Sequence, residues 1–305
     1  MINMRSPILF LVFNRPEVTQ RVFDAIRAAQ PPKLYIASDG PRKDKAGEAE
    51  RCSAVQEIVS RVDWPCKVSK LIRQENLGCK MAVSSAIDWF FSCESEGIIL
   101  EDDCLPDPSF FQFCDELLEK YRDDGRVGMI SGDNFQHGIR RGDGDYYFSC
   151  FCHIWGWATW ARAWKKYDVK LTRWPNLKAI GWLDSLGFEG AEKAFWIKAF
   201  DRVHSNQQDT WDYQWIMTCW ASNMLSVMPN VNLISNIGFG DQATHTAGKS
   251  IYSDMKTGKL EFPLTHPSLL EVNKEADHYS SKRLFTKSII RRGIRKLQGL
   301  LGFKA

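Results

Sequence analysis

A chain of 305 residues, 44% hydrophobic and 25% charged, has the size and balance of one large α/β domain or two small ones, with ample apolar material for a core. No apolar run approaches the roughly 20 residues that cross a bilayer, and no secretory signal is read at the N-terminus, which argues against an integral membrane protein and a secreted one. The net charge of +3 conceals an asymmetry, because residues 282–304 hold eight cations and no acid, leaving about −5 on everything before them.

In chain order, "PILFLVFNRPE" predicts a buried strand over Ile8–Phe13, ending in a loop at Asn14-Arg15. "EVTQRVFDAIRAA" follows with Val18, Val22, Phe23 and Ile26 at helical spacing. "KLYIASDG" predicts a second strand ending at Asp39-Gly40, "AGEAERCSAVQEIVSRV" a second helix, and "CKVSKLIR" a third strand. "GCKMAVSSAIDWFF" predicts a third helix and "GIIL" a fourth strand. Alternation at this pace implies βαβ units and a mostly parallel sheet flanked by helices, a Rossmann-like α/β fold. Ligands of such sheets bind beyond the carboxyl ends of the strands. Four polar clusters converge there: Asn14-Arg15, Asp39-Gly40, Arg73 to Asn76, and Glu101-Asp102-Asp103.

After residue 104 the pattern changes. "DPSFFQFCDELLEKY" predicts a helix with Asp107 as N-cap and Pro108 at its first position. "RVGMISGDNF" predicts a strand, and "HIWGWATWARAWKKYD" an aromatic segment that is helical from about Thr159. "GAEKAFWIKAFDRV" and "WDYQWIMTCWASN" predict further helices, and "VNLISNIGF" a strand. The expected organisation is one domain over 1–250, with a first half (1–104) and a second half (105–250) on the same sheet. A loop-rich extension over 251–305 follows.

Three adjacent carboxylates at the end of a buried strand repel one another, and nothing in a strand end requires them. A divalent cation such as Mn²⁺ or Mg²⁺ takes hard oxygen ligands, and the strand would fix the carboxylate that supplies one. The alternative is a solvated acidic loop. No G-x-x-x-x-G-K-[ST] and no G-x-G-x-x-G occurs in the first βα turn, so a diphosphate would have to be held by a metal.

In their order, "LVFNRPE", "SDG", "ENLGCKMAV" and "LEDD" resemble the GT-A fold of nucleotide-diphospho-sugar glycosyltransferases. "EDDCLPDPSFF", "SGDN", "WGWATWARAW" and "WDYQW" are similar to segments of the N-acetylglucosaminyltransferase I family, the resemblance covering about residues 7–245. It implies Asp103 as ligand of Mn²⁺ (or Mg²⁺), Asp102 and Glu101 on the sugar or ribose, Asp39 on uracil, and Arg15 on the diphosphate or base. It also implies Asp212 as catalytic base. That family has two adjacent acids there, whereas Tyr213 follows Asp212 here, so Asp209 is a substitute. A helix-terminal acid is the structural alternative for Asp212. Inverting transfer needs one base and one electrophile on the leaving diphosphate, and a retaining route stays open.

The remaining candidates each have two readings. Trp157, Trp160 and Trp164 share a helix face at i, i+3, i+7, which is either core or, for Trp155 and Trp157 beside Gly156, a stacking surface for a sugar. His245 would be a metal or diphosphate ligand, or a hydrogen-bonded loop residue, with Asp241 a weaker candidate. Asn14, Asn76, Arg73 and Lys80 would complete donor binding, Arg73 and Lys80 being otherwise solvated charges. Asp133 and Asn134 would bind donor or acceptor hydroxyls, or serve as turn residues. The tail "SKRLFTKSIIRRGIRKLQGLLGF" forms an amphipathic helix, either on an anionic membrane surface or packed on the domain.

The expected activity is metal-dependent transfer of a sugar from a UDP-sugar, or another nucleotide-diphospho-sugar, to a glycan or lipid-linked acceptor. Such transfer belongs to surface polysaccharide or glycoconjugate synthesis. A non-catalytic nucleotide-sugar or glycan-binding protein on the same fold is the alternative. The expected location is cytoplasmic, on the inner membrane face where the tail holds it, and nucleic acid is not an expected partner.

Overall fold

The computed structural model describes residues 4–238 and 255–286. Its first half runs β1 (Ile8–Val12), α1 (Pro16–Ala29), β2 (Lys33–Ser38), α2 (Glu48–Val59), β3 (Lys67–Ile72), α3 (Gly78–Cys93) and β4 (Glu96–Glu101). Then come β5 (Cys104–Pro106), α4 (Pro108–Lys120), β6 (Val127–Ser131), β7 (Tyr146–Ser149), β8 (Trp157–Trp160) and α5 (Ala161–Trp164). The chain continues through α6 (Trp174–Ala179), α7 (Trp182–Ser185), α8 (Gly190–His204), α9 (Asp212–Ala221), β9 (Leu225–Pro229), β10 (Ile234–Asn236) and α10 (Lys274–Ser281).

Eight strands form one sheet in the order β3-β2-β1-β4-β8-β6-β9-β7. The β3-β2-β1-β4 block is parallel, β8 runs against both β4 and β6, β9 is parallel to β6, and β7 opposes β9. Every strand but β8 and β7 therefore ends at the same edge, and the fold is a mostly parallel, Rossmann-like α/β sheet flanked by helices. Because β8 joins β4 to β6, the two halves of the chain share one sheet.

Alternation along the strands divides the core into two layers. Ile8, Phe10, Val12, Ile98 and Leu100 face one layer with Phe110, Phe111 and Leu117 of α4. Leu9, Leu11 and Ile99 face the other with Phe90, Trp211 and Trp215. Glu101 follows Leu100 and so turns to the second side, toward α3 and α9. Helix α4 begins as its sequence predicts, with Asp107 Oδ1 accepting the Ser109 N–H at 2.9 Å and Pro108 at the first position.

One expectation is corrected. Trp157 and Trp160 do not share a helix face, because Trp157–Trp160 is a strand, and residues three apart in a strand point to opposite sides. Trp157 stacks on Trp211 (5.5 Å between centroids) in one layer, while Trp160 donates to the Leu118 carbonyl (3.1 Å) in the other. The described part of the loop-rich C-terminal extension packs against the domain. Leu260 and Leu264 are core residues, Asn273 donates to Phe148 O (2.8 Å), and α10 is tied to β7 by Asp277, which accepts from the Cys150 N–H at 2.9 Å. Phe285 lies 4.7 Å from Trp196 and 5.0 Å from Phe151, so the start of the basic tail packs on the domain. Residues 287–305 lie outside the described residues.

Candidate active site

Beyond the carboxyl ends of β1, β2, β3 and β4 the structure forms a cleft of about 620 Å³, in the range of small-ligand sites. It is lined by Arg15, Asp39, Arg73, Asn76, Glu101, Asp102, Asp103, Trp155 and Asp212, which the sequence singled out. Phe13, Arg42, Cys79, Thr210, Asn236 and Gly238 also line it and were not singled out.

The acid triplet is organised by one guanidinium. Arg15 pairs with Asp102 through Nη2 and with Asp103 Oδ2 through Nη1 at 3.0 Å. Burial acts to lower the Arg15 pKa, but the two carboxylates outweigh it and raise it. Burial raises the Asp102 pKa in turn, with Arg15 opposing. Among the described residues Glu101 makes no ion pair of this kind, and Arg15 only partly offsets its surroundings. Burial, with Asp103 and Asp102 beside it, pushes its carboxyl up to about 8, and Asp212 across the cleft adds to the effect.

A small second sheet fixes the last acid. β5 pairs antiparallel with β10, Asn236 opposite Cys104, and the Ile237 N–H donates to the Asp103 carbonyl at 2.8 Å. This brings Gly238 against the Arg15–Asp103 pair, where a Cβ would stand 2.1 Å from Asp103 Oδ2. "NIG" at 236–238 was the only local signal for this wall, and it becomes legible only when β10 is paired with β5.

At the β2 end of the cleft, Asp39 accepts from Asn76 Nδ2 (2.8 Å), the Leu77 N–H (3.1 Å) and the Gly40 N–H (3.0 Å). Burial still raises its pKa, the backbone N–H groups opposing. Asn76 therefore braces Asp39, and Arg73 donates to Ser85 Oγ (2.8 Å) within the same wall. Asn14 does not face the cleft. Its Nδ2 donates to Glu48 Oε1 at 2.8 Å, and Glu48, fully buried, also holds the cleft residue Arg42 through its backbone N–H (2.6 Å) and guanidinium (2.5 Å). Hydrogen bonds from Arg42 hold the Glu48 carboxyl down at about 2.

A carboxyl held that low stabilises the fold above its unfolded value near 4.3 and loses that contribution as pH falls toward 2. Glu48→Gln is therefore expected to lower stability at pH 7 by about 1–3 kcal/mol, and to flatten the acid limb of the stability profile. Urea titrations of both proteins from pH 2 to pH 7 measure it, and parallel profiles would refute the clasp.

On the other side Asp212 opens α9, and its carboxylate accepts from Thr210 Oγ1. Asp209 is engaged differently: its two oxygens accept the Cys79 and Lys80 N–H groups (2.8 and 3.0 Å), capping α3 from outside. Both Asp209 oxygens thus serve a helix terminus, while the residue also lines the cleft. Lys80 points away from the cleft and donates to Asn206 Oδ1 (2.7 Å). Burial, with Glu101 and Asp212 next, raises the Cys79 pKa and keeps its thiol protonated.

The acceptor-side candidates divide. Trp155 is half-buried in the cleft wall. Trp157 is 1% exposed and offers no face to a sugar. Asp133, 1% exposed, accepts the Trp155 N–H at 3.0 Å, and burial raises its pKa strongly. Asn134 is buried, donating to the Pro229 carbonyl (2.7 Å) and accepting the Gln136 N–H (2.8 Å). Asp133 supports the loop that carries Trp155, Asn134 braces the end of β9, and neither lines the cleft. Gly156, with φ of 64°, is not there for a ligand either: a Cβ would meet Ile234 Cδ1 at 2.4 Å. His245 and Asp241 lie outside the described residues.

Among the described residues no three His, Cys, Asp or Glu side chains are grouped to hold a metal ion by themselves. The charge balance nonetheless fits a cation. With Glu101 pushed toward its protonated form, Asp39, Asp102, Asp103, Asp209 and Asp212 still outnumber Arg15, Arg42 and Arg73 among the residues that line the cleft. Hard cations such as Mg²⁺ are commonly held by one or two carboxylates plus substrate phosphates, and Asp103 is placed to be one of them.

No protein-family profile matches the chain, and no curated protein sequence does. Among solved structures, it is similar to a UDP-glucose pyrophosphorylase complexed with UDP-glucose, at 11% identity and a TM-score of 0.34 over 53% of this chain and 79% of that one. It is similar to apo UDP-glucose pyrophosphorylase at 9% identity and a TM-score of 0.37, over 74% and 90%. HddC from Yersinia pseudotuberculosis matches at 11% and 0.32, over 52% and 77%. Likenesses this distant do not bear on the reaction.

Proposed function

We propose that this chain is a cation-dependent, inverting glycosyltransferase of GT-A type. It would move a sugar from a nucleotide-diphospho-sugar, UDP-linked, to a glycan or lipid-linked acceptor in surface polysaccharide or glycoconjugate synthesis. The observation that carries the reading is the cleft's composition: an acid triplet on β4 and a further carboxylate on α9, with too few guanidiniums to neutralise them. A nucleotide diphosphate is an anion, and an acidic cleft repels it unless a cation accompanies it.

Asp103 would hold Mn²⁺ or Mg²⁺ together with donor phosphate oxygens, and the ion would supply positive charge to the leaving diphosphate. Arg15 keeps Asp102 and Asp103 in place and neutralises part of their charge. The Asp39–Asn76 pair forms the wall for the base, with Arg73 nearby. Glu101 and Asp102 would accept hydroxyl hydrogen bonds from the sugar or ribose. Trp155 would stack on a sugar ring, and Asp212 would take the proton of the acceptor hydroxyl during attack on the anomeric carbon.

Among the described residues no helix is long and apolar enough to cross a membrane. A place on the cytoplasmic membrane face, through the basic residues after Thr286, belongs to the same proposal. The test is UDP-sugar turnover with Mn²⁺ and with EDTA. Hydrolysis or transfer that EDTA abolishes is expected. Tight, EDTA-sensitive UDP binding without turnover across many acceptors would instead mark a nucleotide-sugar-binding protein.

A further inference from the structure

A second cavity, of about 430 Å³, lies between α10 and the loop that follows β6, lined by Arg141, Glu275, His278, Tyr279, Lys282 and Arg283. Arg141 enters β7 from the same sheet edge as the cleft, because its N–H donates to Asn230 Oδ1 (2.8 Å) just past the end of β9. Four strand spacings separate β4 from β7, and none of the six residues that line this cavity lines the cleft.

Tyr279 is the centre of the cavity's chemistry. The guanidinium carbon of Arg283 lies 4.5 Å from its ring centroid and that of Arg141 5.5 Å. The Arg141 side chain is only 11% exposed. Its Nε donates to Gln136 Oε1 at 2.8 Å, and Gln136 is itself fully buried and held by Ser280 Oγ at 2.9 Å. The guanidinium is thus pre-set before any ligand arrives. Its ion pair among the described residues is loose: Nη1 is 3.3 Å from Glu275 Oε2, and the Glu275 side chain is 87% exposed. The other acid of α10, Asp277, is turned toward β7, where Ser149 Oγ and the Cys150 N–H occupy its two oxygens. Arg141, Lys282 and Arg283 therefore share a cavity with one solvated carboxylate. Gathering like charges costs free energy that a bound anion offsets.

We propose that this cavity binds a phosphate group, that of a lipid headgroup. Guanidinium forks suit phosphate oxygens, and Tyr279 offers an amphipathic ring of the kind found at headgroup level. The sequence favours a surface over a lone soluble anion, because Lys287, Arg291, Arg292, Arg295, Lys296 and Lys304 follow with no acid among them. The site is distinct from the cleft and does not depend on sugar transfer.

Sedimentation of the full-length protein with phosphatidylcholine vesicles, with and without phosphatidylglycerol, tests it with no nucleotide or metal present. Lys282→Ala/Arg283→Ala is expected to cut partitioning onto the anionic vesicles by roughly tenfold or more. Arg291→Ala/Arg292→Ala should cut it clearly less, and Arg141→Lys, which keeps the charge but loses the fork, should weaken it as well. Inorganic pyrophosphate forms the soluble arm: thermal stabilisation that Lys282→Ala/Arg283→Ala removes, without any vesicle effect, would keep the anion site and assign it to a soluble phosphate. Equal losses from the two double variants, or no effect in either arm, would overturn the proposal.

Discussion

Asp103→Ala is expected to abolish Mn²⁺-stimulated hydrolysis of the UDP-sugar donor, lowering kcat by at least about 10²–10³. The side chain stands at the mouth of β10, held by Arg15 from one side and covered by Gly238 from the other. Asp102 is engaged by Arg15 and 3% exposed, so it is poorly placed to take over. Removing Asp103 leaves the Arg15–Asp102 pair intact, and the fold should survive. The check is donor hydrolysis titrated with Mn²⁺, alongside a thermal melt. Activity with an unchanged Mn²⁺ dependence would remove Asp103 from the metal site, and with it the principal support for the transferase reading.

Asp212→Asn should cost about 10²–10⁴ in the rate of transfer while leaving donor affinity nearly unchanged. The amide oxygen still accepts from Thr210, so α9 keeps its start and the cleft keeps its shape. Only proton removal is lost. Donor affinity by calorimetry with Mn²⁺, set against single-turnover transfer, separates the two effects. A variant that transfers at the normal rate would move the base elsewhere. Asp209 would be a poor successor, because its carboxylate already caps α3 at Cys79 and Lys80.

The first half of the fold was legible because its signals are local. Strands β1, β2 and β4 are apolar runs buried on both faces, and the helices between them carry their spacing openly. The second half was less so. Strands β7 and β9 are four and five residues long, and β9 ends in Pro229, which reads as a breaker. Strand β8 was mistaken for helix because Trp157, Trp160 and Trp164 have helical spacing, whereas β8 gains its ladder from β4 and β6, far away in sequence.

The candidate site divides in the same manner. Arg15, Asp39 and the acids of β4 were legible as polar residues at the ends of buried strands, and Asn76 as one beyond the half-exposed β3. Trp157, Asp133 and Asn134 looked like site residues because aromatic and turn-type residues are equally at home in a core or a cleft. Burial decides between the two, and burial is a property of the packed chain. Arg42 and Glu48 were passed over for the converse reason: each looks like an ordinary surface charge, until Asn14 and Arg42 close over Glu48.

The residue order by itself determined that a parallel sheet would form and that carboxylates would collect at its edge, since periodicity and strand-end polarity are written within a few neighbours. Which of those carboxylates stay open was decided only in three dimensions. Asp103 depends on the pairing of β5 with β10, and Asp209 is engaged by a helix terminus about 130 residues earlier. Hydrogen-bond partners so distant along the chain leave no local trace, because only the closed fold brings donor and acceptor together.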